Sequence, residues 1–241
     1  MSNLPLTVYE FLVYIGTGAV LLATVCLAWG YEWIPVGEVG LVVVVLWFGA
    51  AYVTGHVVAH ISGFVLEEQI VRRWFDPPTA PALFRAKADG WRERWFPSYF
   101  RPLPDETQAR IVAEATRRGA ATSGRALFVH CFAIVKRDAV AFGRMTAFVN
   151  QYGFCRNMCL IAFVAIILLV TRPLVTSAPL APRYYGVRAA AIVGAFFVLV
   201  VMFYRYLKFY RLYQHELFAT YAEPAPEPAK LARAVEQPIR P

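Results

Sequence analysis

His56 and His60 stand four residues apart in a stretch, AYVTGHVVAHISGFVLEE (51–68), that is otherwise nearly free of charge until Glu67 and Glu68. An ionisable side chain at membrane depth is costly and by default marks a functional position. At about 100° per residue, His56, His60 and Glu67 fall within about 40° of arc, so a straight α-helix puts all three on one face. Histidines at i and i+4 can ligate one metal ion. Glu67 lies about 10 Å beyond His60 along such a helix, too far to join them. A third ligand would have to come from another helix, and Glu10 is the obvious acid. No HExxH pattern is present, and no metal or cofactor is expected. A histidine can also serve as a general base. Ser62 is the hydroxyl nearest His60, but no nucleophile of diagnostic spacing accompanies it. His56, His60 and Glu67 are therefore the catalytic candidates. Whether the chain is an enzyme stays open, and the preferred reading is that it is not.

Polar groups recur at one depth on other segments. Arg156 and Asn157 open one apolar run, Arg205 and Lys208 close another, and Glu10 precedes a third. Basic pockets between helices at this level bind lipid headgroups or phosphates, so Arg156, Asn157, Arg205 and Lys208 are the lipid- or phosphate-binding candidates. Ala51, Gly55, Ala59 and Gly63 form a second row with spacing four throughout. Small residues at this spacing let another helix approach closely. The histidines are expected to border that contact and to avoid lipid. The bland alternative is that these polar residues are glue that fixes the register of a bundle.

The elements that must position these residues follow from composition. The chain has 241 residues, 59% apolar and only 17% charged, which departs from soluble domains toward integral membrane proteins. Four apolar runs of spanning length occupy 11–29, 42–66, 154–170 and 187–204. The N-terminal residues MSNLPLTVYE carry no Lys or Arg, so the first run is expected to be a retained anchor and not a secretory signal. Fourteen of the 24 Lys and Arg residues fall in 67–153 and six follow 204, whereas 30–40 has none. Basic clusters stay cytoplasmic. Both termini and the middle segment are thus expected inside, in a bacterial-type cytoplasmic membrane. The net charge of +8 is mostly this asymmetry. Cys26, Cys131, Cys155 and Cys159 are expected as reduced thiols. Cys155 and Cys159, one turn apart, are read as packing residues.

The segment WRERWFPSYFRPLP (91–104) interleaves aromatic rings with arginines, a bilayer-interface composition. Single-stranded nucleic acid could be bound by the same mixture, and is not favoured. A helix follows at 104–119, with Asp105 as expected N-cap, Gln108 as its capping-box partner and Gly119 as terminator. Ala126 to Val135 is apolar except for His130 and too short to span. It is expected to be a buried helix of the cytoplasmic domain or one lying against the membrane, with a partner for His130. The helix after it is expected to run into the third span, with Gly153 as a possible kink.

The expected fold is therefore an all-α polytopic membrane protein, with four transmembrane helices in two hairpins and a small basic cytoplasmic helical domain between the second and third spans. Its parts are a first hairpin (1–66), the cytoplasmic domain (67–152), a second hairpin (153–206), a cytoplasmic helix extension (207–221) and a disordered tail (222–241). The expected function is an oligomeric scaffold, channel-like or signalling membrane component. It would contact membrane lipids, a second copy or another membrane subunit, and a soluble cytoplasmic protein. The competing reading is an intramembrane enzyme or transporter for a lipid or phosphorylated small molecule at the inner leaflet.

Overall fold

The computed structural model describes residues 8–29, 40–75, 90–175 and 182–223, and every regular element among them is helical. The elements are α1 (Val8–Trp29), α2 (Leu41–Ser62), a π-helical continuation of α2 (Gly63–Phe75), α3 (Trp91–Trp95), α4 (Pro97–Phe100), α5 (Asp105–Arg117), α6 (Gly124–Val135), α7 (Ala139–Val175) and α8 (Pro182–Ala222). Three are long and apolar enough to cross a membrane: Leu41–Phe75, Ala139–Arg172 and Tyr185–Ala222. The protein therefore has the build of a multi-pass membrane protein. In α1 the apolar stretch, Val13–Cys26, is shorter. The expected tail and the Asp76–Pro77–Pro78 stop lie outside the described residues.

Helices α7 and α8 form a long antiparallel hairpin in constant register. Arg188 bonds the Val170 carbonyl, Cys159 meets the Leu199 carbonyl, Tyr152 lies against Tyr206, and Arg144 pairs with Glu216. From the first of these pairs to the last the hairpin extends about 39 Å at 1.5 Å per residue, longer than a hydrocarbon core of about 30 Å. One end of the hairpin must therefore emerge from a bilayer. Helix α7 continues through Gly153 without interruption. The expected boundaries at 152/153 and 206/207 both fall inside unbroken helices.

The emerging end carries its own core. Leu103, Ile111, Leu127, Cys131 and Val135, from α5, α6 and the turn before them, pack on Ala141 and Met145 of α7 and on Leu217, Phe218 and Tyr221 of α8. Helix α5 begins differently from the sequence expectation. Pro104 is its N-cap, Asp105 is already helical, and Gln108 donates to the Leu103 carbonyl at 2.7 Å. A capping box needs an N–H on the cap residue for the side chain at N3 to accept, and proline has none. Gly119, at φ +64°, ends the helix as expected and lets Ala120 N–H reach the Ala115 carbonyl. Glu114 braces Arg117 and Arg118 in the last turn, and these guanidinium groups hold its carboxyl down at about 2.

A second core lies nearer the spans. Phe75 sits among Phe96, Tyr99, Phe100 and Phe203, with ring centroids 5.2 to 6.2 Å apart. Each such pair contributes about 0.5–1.5 kcal/mol beyond burial. It clamps the aromatic–arginine segment between the end of the π segment and α8, while Trp91 and Trp95 stay exposed.

Candidate functional site

The first two helices meet through backbone. A Cβ on Gly18 of α1 would lie 1.8 Å from the Ala51 carbonyl oxygen, and one on Gly55 would lie 1.9 Å from that of Tyr14. No side chain larger than hydrogen fits at either position. The small-residue row thus packs within the chain: Ala51 and Gly55 face α1, while Gly63 faces the Arg156 guanidinium of α7, 3.5 Å from where a Cβ would be. The sequence reading missed Gly18, although the small run Gly16-Thr17-Gly18-Ala19 is the complement that the α2 row requires.

The histidines lie on the flank of that contact, because each follows a row position by one residue and is turned about 100° from it. Both are exposed, contrary to the expectation that they avoid the outer surface. His56 is stacked on the Tyr14 ring at 4.1 Å and meets the Tyr52 ring edge-on at 4.6 Å. The two histidines do not share a site with Glu67. The π segment explains this. Its i→i+5 turns advance each residue about 20° less than α-turns do, so Glu67 is withdrawn from the histidine line by roughly 80°. That rotation carries Glu67 round to the side of Ala59 and Ser62.

On that side lies the most developed polar constellation among the described residues. Arg156 of α7 donates through Nη1 to Glu67 Oε1, through Nε to Ser62 Oγ at 3.1 Å and through Nη2 to the Ala59 carbonyl at 3.1 Å. Ser62 Oγ donates to Asn157 Oδ1 at 2.6 Å. The Ala59 carbonyl sits where the helix changes from i→i+4 to i→i+5 bonding, and Gly63 leaves room for the guanidinium. Arg156 also lies 6.0 Å above the Tyr152 ring. Ser62 and Asn157 are buried. Ser62 is engaged with Arg156 and Asn157 while His60 points out, so serine and histidine do not form a base–nucleophile pair. Beside the constellation is a cavity of about 150 Å³ where α1, α2 and α7 meet, lined in part by Tyr14, Ala59, Asn150, Arg156 and Asn157.

The other candidates scatter. Arg205 is exposed and lies 5.4 Å from the Phe209 ring, and Lys208 is exposed, so neither joins Arg156 and Asn157. Glu10 belongs to α1, but its side chain is outside the described residues. Among the described residues no three His, Cys, Asp or Glu side chains converge to hold a metal ion. All four cysteines are buried free thiols. His130 lies against the Tyr221 ring at 5.8 Å, but its Nε2 is buried without the expected hydrogen-bond partner. No protein-family model matches the chain, and neither a curated protein nor a solved structure matches it.

Proposed function

We propose that this is a non-enzymatic component of the cytoplasmic membrane, a scaffold or signalling subunit. Its four spans, α1 included, hold a basic helical unit at a fixed distance from the bilayer, with both termini on the cytoplasmic side. The observation that carries the reading is the continuity of α7 and α8. Helices of 37 and 41 residues run without a break from their apolar stretches into the core that α5 and α6 complete. A docking surface built on such a hairpin cannot move independently of the spans. The Arg156 interlock supports the same reading, since its donors join α7 to α2 and Glu67 neutralises its charge. Lateral assembly then uses the outward apolar faces of α2 and α8, because the small-residue row already packs on α1 and α7. Exposed Leu46, Val53 and Val57 of α2 and Val193, Phe196 and Val200 of α8 form those faces.

The test combines topology with mass. Reporter fusions at each terminus and at residues near 120 should all report the cytoplasmic side. In nanodiscs the purified chain should have a mass of at least two copies. A monomer at micromolar concentration would remove the scaffold reading. A periplasmic report for the loop near 120 would remove the four-span topology.

A further inference from the structure

We propose that the cavity between α1, α2 and α7 seats the acyl-ester group of a membrane lipid, held as an uncharged hydrogen-bond acceptor. The inference rests on the membrane reading above and adds a ligand to it. Five residues with polar side chains, Tyr14, Asn150, Tyr152, Arg156 and Asn157, line a space whose remaining wall includes Val13 and Val149. The volume, about 150 Å³, suits a group of roughly six heavy atoms.

The donors available there are specific. Asn157 uses Oδ1 to accept from Ser62, which leaves Nδ2 to donate. Arg156 uses Nε and one hydrogen on each terminal nitrogen for Ser62, Glu67 and Ala59, which leaves one hydrogen on each terminal nitrogen. Charge selects among acceptors. Glu67 already neutralises Arg156, so a phosphate would have to displace a carboxylate, whereas an ester carbonyl adds bonds without adding charge. Depth agrees. Arg156 lies two positions inside the start of the third apolar run (154–170), about 3 Å along the helix and so at the edge of the hydrocarbon layer. Gly153 lines the same space, and a Cβ there would meet nothing within 4 Å, so a leucine at this position has room to occupy part of the cavity.

The experiment is a thermal-shift titration of the full chain in detergent. The probes are dioctanoylglycerol, its di-octyl ether analogue, octyl phosphate and inorganic phosphate. Dioctanoylglycerol should raise Tm saturably. The ether, which lacks the carbonyls, should bind about tenfold more weakly. Both phosphates should have no saturable effect. In Gly153→Leu the diester response should fall at least tenfold. Asn150→Leu, which removes a donor without touching the Arg156 interlock, provides a second variant and should weaken diester over ether selectivity. A wild-type protein with no saturable response overturns the proposal. So does equal binding of ester and ether, an unchanged response in both variants, or saturable binding of either phosphate. Because the titration is read on the isolated chain, its outcome is independent of whether the protein assembles.

Discussion

The Arg156–Glu67 pair offers a quantitative test. The two side chains are only 15% and 27% exposed, and Arg156 makes two further bonds to α2. Removing one partner of a buried ion pair costs roughly 3–5 kcal/mol, because the other charge remains buried. The partial exposure of Glu67 reduces this, so Glu67→Gln should cost about 2 kcal/mol while its amide keeps one bond to Arg156. Arg156→Met should cost about 3–4 kcal/mol, since it strands Glu67 and removes the donors to Ser62 and the Ala59 carbonyl. The double variant leaves no charge unpaired. It should cost less than the sum by about 1.5–2 kcal/mol, well above the 0.5 kcal/mol within which independent sites add. The assay is reversible SDS-driven unfolding in bicelles, followed by near-UV circular dichroism. Additivity within about 0.5 kcal/mol would refute the interlock, and with it the argument that the π segment turns Glu67 toward α7.

Other outcomes follow from the same geometry. Gly55→Ala and Gly18→Ala should each push α1 from α2, because a methyl at either site collides with backbone less than 2 Å away; spin-label distances between the helices should lengthen by at least 1 Å, and unchanged distances would contradict the close approach. Gly143→Ala meets nothing within 4 Å and should leave those distances unaltered. Glu114 is depressed from 4.5 to about 2, so its contribution to the last turn of α5 is complete above its ordinary value. It is lost as pH falls from 4.5 toward 2; carboxyl NMR titration checks the midpoint, and one near 4.5 would show the arginine clasp to be absent. Burial pushes the Cys131 thiol up to about 12. In a variant keeping only that cysteine, maleimide labelling at pH 8 should be roughly a thousandfold slower than in the SDS-unfolded chain, and comparable rates would place Cys131 at the surface.

Much of the architecture was legible because lipid imposes one strong rule: apolar runs of spanning length become helices that satisfy their own backbone. Three of the four expected runs correspond to helices of spanning length, and the described part of the basic middle segment is mostly helical. The row at Ala51, Gly55, Ala59 and Gly63 and the pair Arg156–Asn157 were visible as well, since spacing along one helix is a property of sequence. What spacing could not give was the phase of Glu67. An α-helical count placed it with His56 and His60, and only the widened turns after Ser62 show that it belongs with Arg156. The choice between i→i+4 and i→i+5 bonding depends on what meets the helix, here a guanidinium from a segment 89 residues away.

The histidines were the most conspicuous residues in the sequence, and tertiary packing left them on the outside, one covered by the Tyr14 ring. Sequence by itself determined where the chain is apolar, where it is basic and which helix faces are small. Tertiary structure alone decided which small face meets which, that Gly18 is the counterpart of Gly55, and that Gly153 borders a cavity. The reason is physical. Periodicity records the one-dimensional pattern a helix offers, whereas close backbone approach and the satisfaction of a buried charge depend on atoms brought together across the fold.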